Sequence, residues 1–324
     1  YTWILYPFRK DTGCTQFDRK AEQWTTVSLP EGGDSITDVI EDGEYIWFST
    51  VDDGIFSFRT ASGEWTLFED FLPHDQVTDH GLLVDENSVW VAQPVGLCRY
   101  DKKLESWTYY TKEQTLEGED VYALAVDDRY VWCGTDKGLS RYDKIRGDWE
   151  NFKGERKWGS SSGRLINNFV LSLAVDERYV WVGTISGASR YDKIAATWES
   201  FTRENGLPGE RILSIALDTN HVWMGTDFGI GRYPKMADDP NAWIPYTAEV
   251  SIMPVDSKEY VSTLVSNEVQ CVAVDEDYLW VGTKRGVSRY DKSIDNWVSY
   301  TSEDGLIADA VSSIAVTKDA VWFG

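Results

Sequence analysis

One phrase returns from end to end of the chain. It runs Trp, then Gly-Thr, two variable residues and a Gly, then Arg-Tyr-Asp-Lys and a second Trp. Its fullest copy is VWVGTISGASRYDKIAATWESF, from Val180 to Phe201. The first Trp stands at Trp47, Trp90, Trp132, Trp181, Trp223, Trp280 and Trp322, at spacings of 43, 42, 49, 42, 57 and 42 residues. The second stands at Trp24, Trp65, Trp107, Trp149, Trp198, Trp243 and Trp297. A repeat of this size is one supersecondary unit that cannot bury its apolar face alone, so the 324 residues read as one array rather than two ordinary domains.

Within a unit four short runs follow one another: VLSLAVD (170–176), YVWVGT (179–184), GASRYD (187–192) and TWESFT (197–202). They are rich in β-branched and aromatic residues and bounded by Gly, Asp, Asn and Lys, which is the strand signal. A sheet with one wet face alternates apolar and polar residues, yet YVWVG and its copies are apolar on both sides. Sheets stacked face to face explain this. The expectation is an all-β, seven-bladed β-propeller with four-stranded antiparallel blades. The C-terminus offers a first and second strand (VSSIAVTKDAVWFG), and the N-terminus a third and fourth (TGCTQFDRKAEQWTTV). Joined, they predict a ring closed by strands from both termini, with no open edge. The expected blades are a composite of 1–34 plus 311–324, then 36–76, 77–120, 121–169, 170–211, 212–268 and 269–310. Residues 1–10 and 321–324 both compete for the second strand of the composite blade.

The balance of 31 basic against 54 acidic side chains, net −23, argues against nucleic acid and anionic membrane as partners. No stretch approaches the ~20 apolar residues of a membrane span, so direct membrane insertion is not expected. Opening YTWILYPF without Met, the chain reads as processed or excised, which leaves its compartment open. The four cysteines show no C-x-x-C spacing and read as separate buried thiols.

VLSLAVDERYVWVGTISGASRYDKIAATWESFTRENGL and VQCVAVDEDYLWVGTKRGVSRYDKSIDNWVSYTSEDGL resemble the two-component regulator propeller repeat nearly throughout. The weakest copies are ITDVIEDGEYIWFSTVDDGIFSFRT and the third, where W-V-A-Q-P replaces W-x-G-T. The resemblance implies an extracytoplasmic sensor module, periplasmic or extracellular, often for carbohydrate or other environmental ligands. The β-sandwich, membrane segment and kinase of such sensors have no counterpart in this sequence.

Candidate sites compete with structural roles. The acidic turns at Asp85, Asp127, Asp176 and Asp275 invite calcium, but an Asp that accepts backbone N–H bonds two residues on serves a tight turn equally well. The recurring Trp is core rather than a sugar platform, and R-Y-D-K is strand-end and turn chemistry. His74, Asp75, Asp79 and His80 are the one local cluster of metal-ligand types; His80 reads as a channel-side ligand contact or a satisfied polar group. Neither a metal nor a cofactor is expected. G-x-S-x-G, H-E-x-x-H and P-loop motifs are absent, so no catalytic residue is assigned.

The loops after W-x-G-T vary while their flanks do not. With the long links between blades they gather Arg156, Lys157, Trp158, Arg164, Phe228, Tyr260, Lys284 and Arg285 on one ring face. Cations beside aromatics suit an anionic or sugar-like ligand or an acidic protein segment. Alternatively Trp158 and Tyr260 merely anchor their loops. The sequence thus points to a non-catalytic binding or sensor module that takes a small molecule, glycan or protein on that face. The alternatives are a lyase acting on a polysaccharide or lactone, and a scaffold subunit.

Overall fold

The structure is a computed structural model describing residues 3–5, 13–18, 23–28, 30, 36–50, 54–68, 81–154, 164–248, 264–304, 306, 309–311, 314–317 and 320–323. These form a succession of antiparallel sheets. Sheet 1 has three strands (Trp3–Leu5, Gly13–Asp18, Gln23–Ser28). Sheets 2 to 7 have four each and span 36–68, 82–110, 121–152, 170–201, 212–246 and 269–300; sheet 8 has two, Ile314–Thr317 and Ala320–Phe323. Among the described residues, helix is confined to the single turns Arg203–Asn205 and Ser302–Asp304.

Sheet 5 shows how the repeat becomes structure. Its strands are Val170–Val175, Tyr179–Thr184, Gly187–Asp192 and Thr197–Phe201, paired in that order. The second strand is buried at every position, which accounts for its unbroken apolar run. The first strand of sheet 4, Val121–Val126, alternates buried and half-buried residues, and its fourth strand is largely exposed. Burial therefore peaks at the second strand, where both faces meet a neighbouring sheet.

The first strands lie side by side from sheet 2 to sheet 8. Small polar side chains tie them together: Leu82 N donates to Asp38 Oδ2 (3.0 Å), Ser172 Oγ donates to Ile212 O (2.9 Å), and Val272 N donates to Ser214 Oγ (3.0 Å).

Trp3 adds an eighth member to the seven first-type tryptophans of the sequence reading. It pairs with Gln16 in the register in which Trp181 pairs with Arg190, so Trp3–Leu5 is a second strand. Trp322 pairs with Ala315 as Trp181 does with Ala174, so Ala320–Phe323 is a second strand as well. Both ends of the chain satisfy the pattern, each in its own sheet, and the two strands are neighbours.

The Arg-Tyr-Asp-Lys segment does more than end a strand, which corrects the sequence expectation. Its Asp is indeed a turn residue: Asp192 Oδ1 accepts the N–H groups of Ile194 and Ala195. The Arg and Lys instead bind the next or preceding sheet. Arg190 lies 4.6 Å from the ring centre of Tyr179, 5.3 Å from Trp181 and 5.7 Å from Phe201 in its own sheet, and 5.7 Å from Tyr233 of sheet 6. Each Lys reaches back to the acidic turn of the sheet before it. The pairs are Lys102–Asp42 (2.6 Å), Lys144–Asp85 (3.6 Å), Lys193–Asp127 (2.7 Å), Lys235–Asp176 (3.4 Å) and Lys292–Asp218 (3.2 Å). The spacing alone hides this, because each partner belongs to another copy of the repeat.

Candidate functional site

The turn between second and third strands is built from the W-x-G-T-x-x-G phrase. Thr184 Oγ1 donates to Gly187 O (2.8 Å), and the same bond closes the turns at Thr135, Thr226 and Thr283. Gly187 has φ +118, and a Cβ there would meet Phe201 O at 2.4 Å, so only glycine fits. The frame is thereby fixed, and the two bracketed residues project into solvent. Ile185 and Phe228 are 37% and 41% exposed.

The links between sheets are bonded to these turns. Asn167 Nδ2 donates to Ser186 Oγ (3.1 Å), Gly187 N to Glu210 O (2.7 Å), Gly229 N to Asn267 O (2.7 Å) and Lys284 N to Glu268 O (3.3 Å). Turn and link thus form one surface, on the side of the array opposite the acidic turns. The link at Asn267–Glu268 stands between the turn carrying Phe228 and the turn carrying Lys284 and Arg285. Those three predicted residues are therefore gathered around one link.

Their states differ. Lys284 Nζ lies 2.6 Å from Glu268 Oε2, and that hydrogen bond holds the Glu268 carboxyl below its usual range, with Arg285 adding to the effect. Arg285 and Arg164 are exposed. Arg156, Lys157, Trp158, Tyr260 and His80 lie outside the described residues, as do His74, Asp75 and Asp79. The described first strand of sheet 3 begins at Leu82.

The acidic turns are occupied by their own backbone. Asp218 Oδ1 accepts N–H groups from Asn220 (2.8 Å) and His221 (2.7 Å), and Oδ2 accepts the Trp223 indole (2.9 Å). Burial alone would raise this carboxyl, but those bonds and Lys292 bring it down to about 2. His221, beside it, is pushed down by burial. Among the described residues no group of three His, Cys, Asp or Glu side chains is placed to hold a metal. Cys98, Cys133 and Cys271 are free and buried; burial pushes the thiols of Cys98 and Cys271 up to about 12.

Sequence reasoning missed a second repeated surface feature. The turn between third and fourth strands carries a bare apolar side chain in five successive sheets: Leu104, Ile145, Ile194, Met236 and Ile294, each 67% to 81% exposed. The signal was present in the alignment of copies, two or three residues after the Asp of R-Y-D-K or, in sheet 6, after Pro234, but exposure has no sequence signature.

No family model and no curated protein matches the chain. Solved structures do. The extracellular domain of a protein described as a hybrid two-component system of B. thetaiotaomicron superposes with a TM-score of 0.58 at 19% identity, over 97% of this chain and 47% of that one. A catalytically inactive virginiamycin B lyase from Staphylococcus aureus gives 0.63 at 13% identity, over 92% and 94%. The WD40 repeats of RRP9 give 0.59 at 12% identity, over 86% and 83%. The chain thus spans about half of the two-component-system domain it matches. At these identities the likeness concerns architecture: the chain is an all-β array of propeller type, shared by an extracellular domain, a lyase and a WD40 protein.

Proposed function

We propose that the chain is a non-catalytic ligand-binding module of sensor type, a seven-bladed propeller that works outside the cytoplasm. Its ligand is anionic or carbohydrate-like and sits on the face made of links and second-to-third turns. The observation that carries this reading is the joining of variable turns to links around Asn267–Glu268, where exposed Phe228 and Arg285 stand on a fixed frame. An exposed aromatic beside a guanidinium suits a sugar ring bearing a carboxylate.

The closed seven-blade ring is supported by the belt of Lys–Asp pairs. In sheet 2 the Lys position is Thr60; in sheet 8 the Asp position is Thr317. Both deviations fall together if sheets 8 and 1 make one blade that precedes sheet 2.

Thermal shift with acidic oligosaccharides tests the function. A raised melting temperature, lost in Arg285→Ala together with Phe228→Ala, supports it by mass action. No shift with any glycan, alongside a stable co-purifying protein, would replace it by the scaffold reading. The row of exposed apolar side chains from Leu104 to Ile294 favours that second reading, because protein partners cover such residues.

A further inference from the structure

Sheets 3 to 7 each carry an arginine at the same place in the third strand: Arg99, Arg141, Arg190, Arg232 and Arg289. Every one of them lies 4.3 to 6.0 Å from aromatic ring centres. Sheet 2 departs from this. Ser57 stands opposite Trp47 as Arg190 stands opposite Trp181, so the cation is missing. Thr66 stands opposite Ser57, as Thr108 stands opposite Arg99 in sheet 3, whereas sheets 4 and 5 place Glu150 and Glu199 opposite their arginines.

The rings have nevertheless kept their places. Around Arg190 the distances are 6.0 Å for Tyr179–Trp181, 6.0 Å for Trp181–Phe201, 5.9 Å for Trp181–Tyr233 and 5.2 Å for Phe201–Tyr233. Around Ser57 the counterparts are 6.1 Å for Tyr45–Trp47, 5.6 Å for Trp47–Phe68, 5.7 Å for Trp47–Tyr100 and 5.3 Å for Phe68–Tyr100. The result is a cleft of about 580 Å³ between sheets 2 and 3, lined by Tyr45, Trp47, Phe68, Tyr100, Trp107 and Glu105.

We propose that this cleft binds an organic cation, an alkylguanidinium or alkylammonium group that takes the place held by arginine in sheets 3 to 7. Ring faces attract such a group, and desolvation inside the cage strengthens the attraction. Glu105 lines the cleft with an exposed carboxylate side chain that can pair with the cation. Lys102 also lines the cleft, and its amine is engaged by Asp42 (2.6 Å) and by Asp85 O (2.7 Å). Arg59, which stands opposite Tyr45 where Asp192 stands opposite Tyr179, lies 5.8 Å from the Tyr45 ring and is paired with Glu44 at 3.8 Å. The volume exceeds a guanidinium alone and falls in the ~300–1,000 Å³ range of small-molecule sites, so the ligand carries its cation on a larger body. A net charge of −23 raises the local concentration of cations.

Tryptophan fluorescence titration with agmatine, choline and 3,3-dimethylbutan-1-ol, a neutral shape mimic of choline, tests the proposal. At least one cation should bind about tenfold more tightly than the neutral mimic. Ser57→Arg should abolish binding while the protein remains as heat-stable as before or more so, because the new side chain fills the cage. Tyr100→Leu should weaken binding about tenfold through loss of one ring, and Ser57→Ala should leave it unchanged. Equal binding of cation and mimic, undiminished binding in Ser57→Arg, or no binding of either cation at millimolar concentration overturns the proposal. None of these outcomes bears on the ring-face ligand.

Discussion

Removing the Asp218 carboxylate tests whether the repeat holds its sheets together through side chains that reach between copies. The carboxylate accepts two turn N–H groups, the Trp223 indole and the Lys292 ammonium of the next sheet. In Asp218→Ala, water replaces the carboxylate at the exposed turn amides, which together cost about 1 kcal/mol. Trp223 is 1% exposed, and its orphaned indole N–H costs a further ~1–2 kcal/mol. Lys292 loses its counter-ion but keeps Asp275 O at 2.7 Å, a loss of about 1 kcal/mol. The sum is about 3–4 kcal/mol. Lys292→Met keeps the apolar stem and should cost about 1–1.5 kcal/mol. Urea unfolding of both single variants and the double variant, at constant m-value, measures the cycle. The double variant should lose about 1 kcal/mol less than the sum of the singles, because either change alone already breaks the shared contact. Additivity to within ~0.4 kcal/mol would show that the ion pair does not couple the two sheets, and the belt would be incidental.

Acid should loosen the array at the same points. The carboxyls of Asp127, Asp192 and Asp218 are held below their ordinary value in the fold, so their contribution is complete above the unfolded value near 4 and disappears as pH falls toward 2. Melting temperature should therefore fall steeply between pH 4 and 2, and less steeply in Asp218→Ala. Trp181→Ala should cost about 3–5 kcal/mol by removing a side chain buried against three rings and the Arg190 guanidinium, whereas Phe228→Ala should change stability by less than about 0.5 kcal/mol; differential scanning calorimetry separates the two. Gly187→Ala should cost about 1–3 kcal/mol in denaturant unfolding, since φ +118 and the close Phe201 carbonyl both oppose a Cβ. If the ring closes through a composite blade, Thr60→Lys with Thr317→Asp should stabilise the protein by more than the two single changes added; simple additivity would place the two threonines apart.

Much of the frame was legible because each copy repeats the same local physics. As turn formers, the Asp that ends most first strands and the Gly between second and third strands act within their own copy, so their spacing reveals the turns directly. Arg190 and Lys193 were misread for the opposite reason: their partners Tyr233 and Asp127 lie in the following and preceding copies. Trp3 was overlooked because its copy of the phrase is degenerate, and the register with Gln16 identifies it. Of the candidate site, Phe228, Lys284 and Arg285 were found through variability between fixed flanks. Ser57 was equally visible as a deviation, but a serine in a strand has no meaning until the cage around it is known.

Turn chemistry and burial are properties of each repeat, so the strands, their order within a sheet and the side of the sheet on which variation is tolerated follow from the residues alone. Only the tertiary structure decided what passes between repeats: the Lys–Asp belt, the arginines held among rings, and the aromatic cage left open at Ser57. Those contacts depend on how one sheet stacks against the next, and that stacking brings together residues that the period of the sequence keeps some forty positions apart.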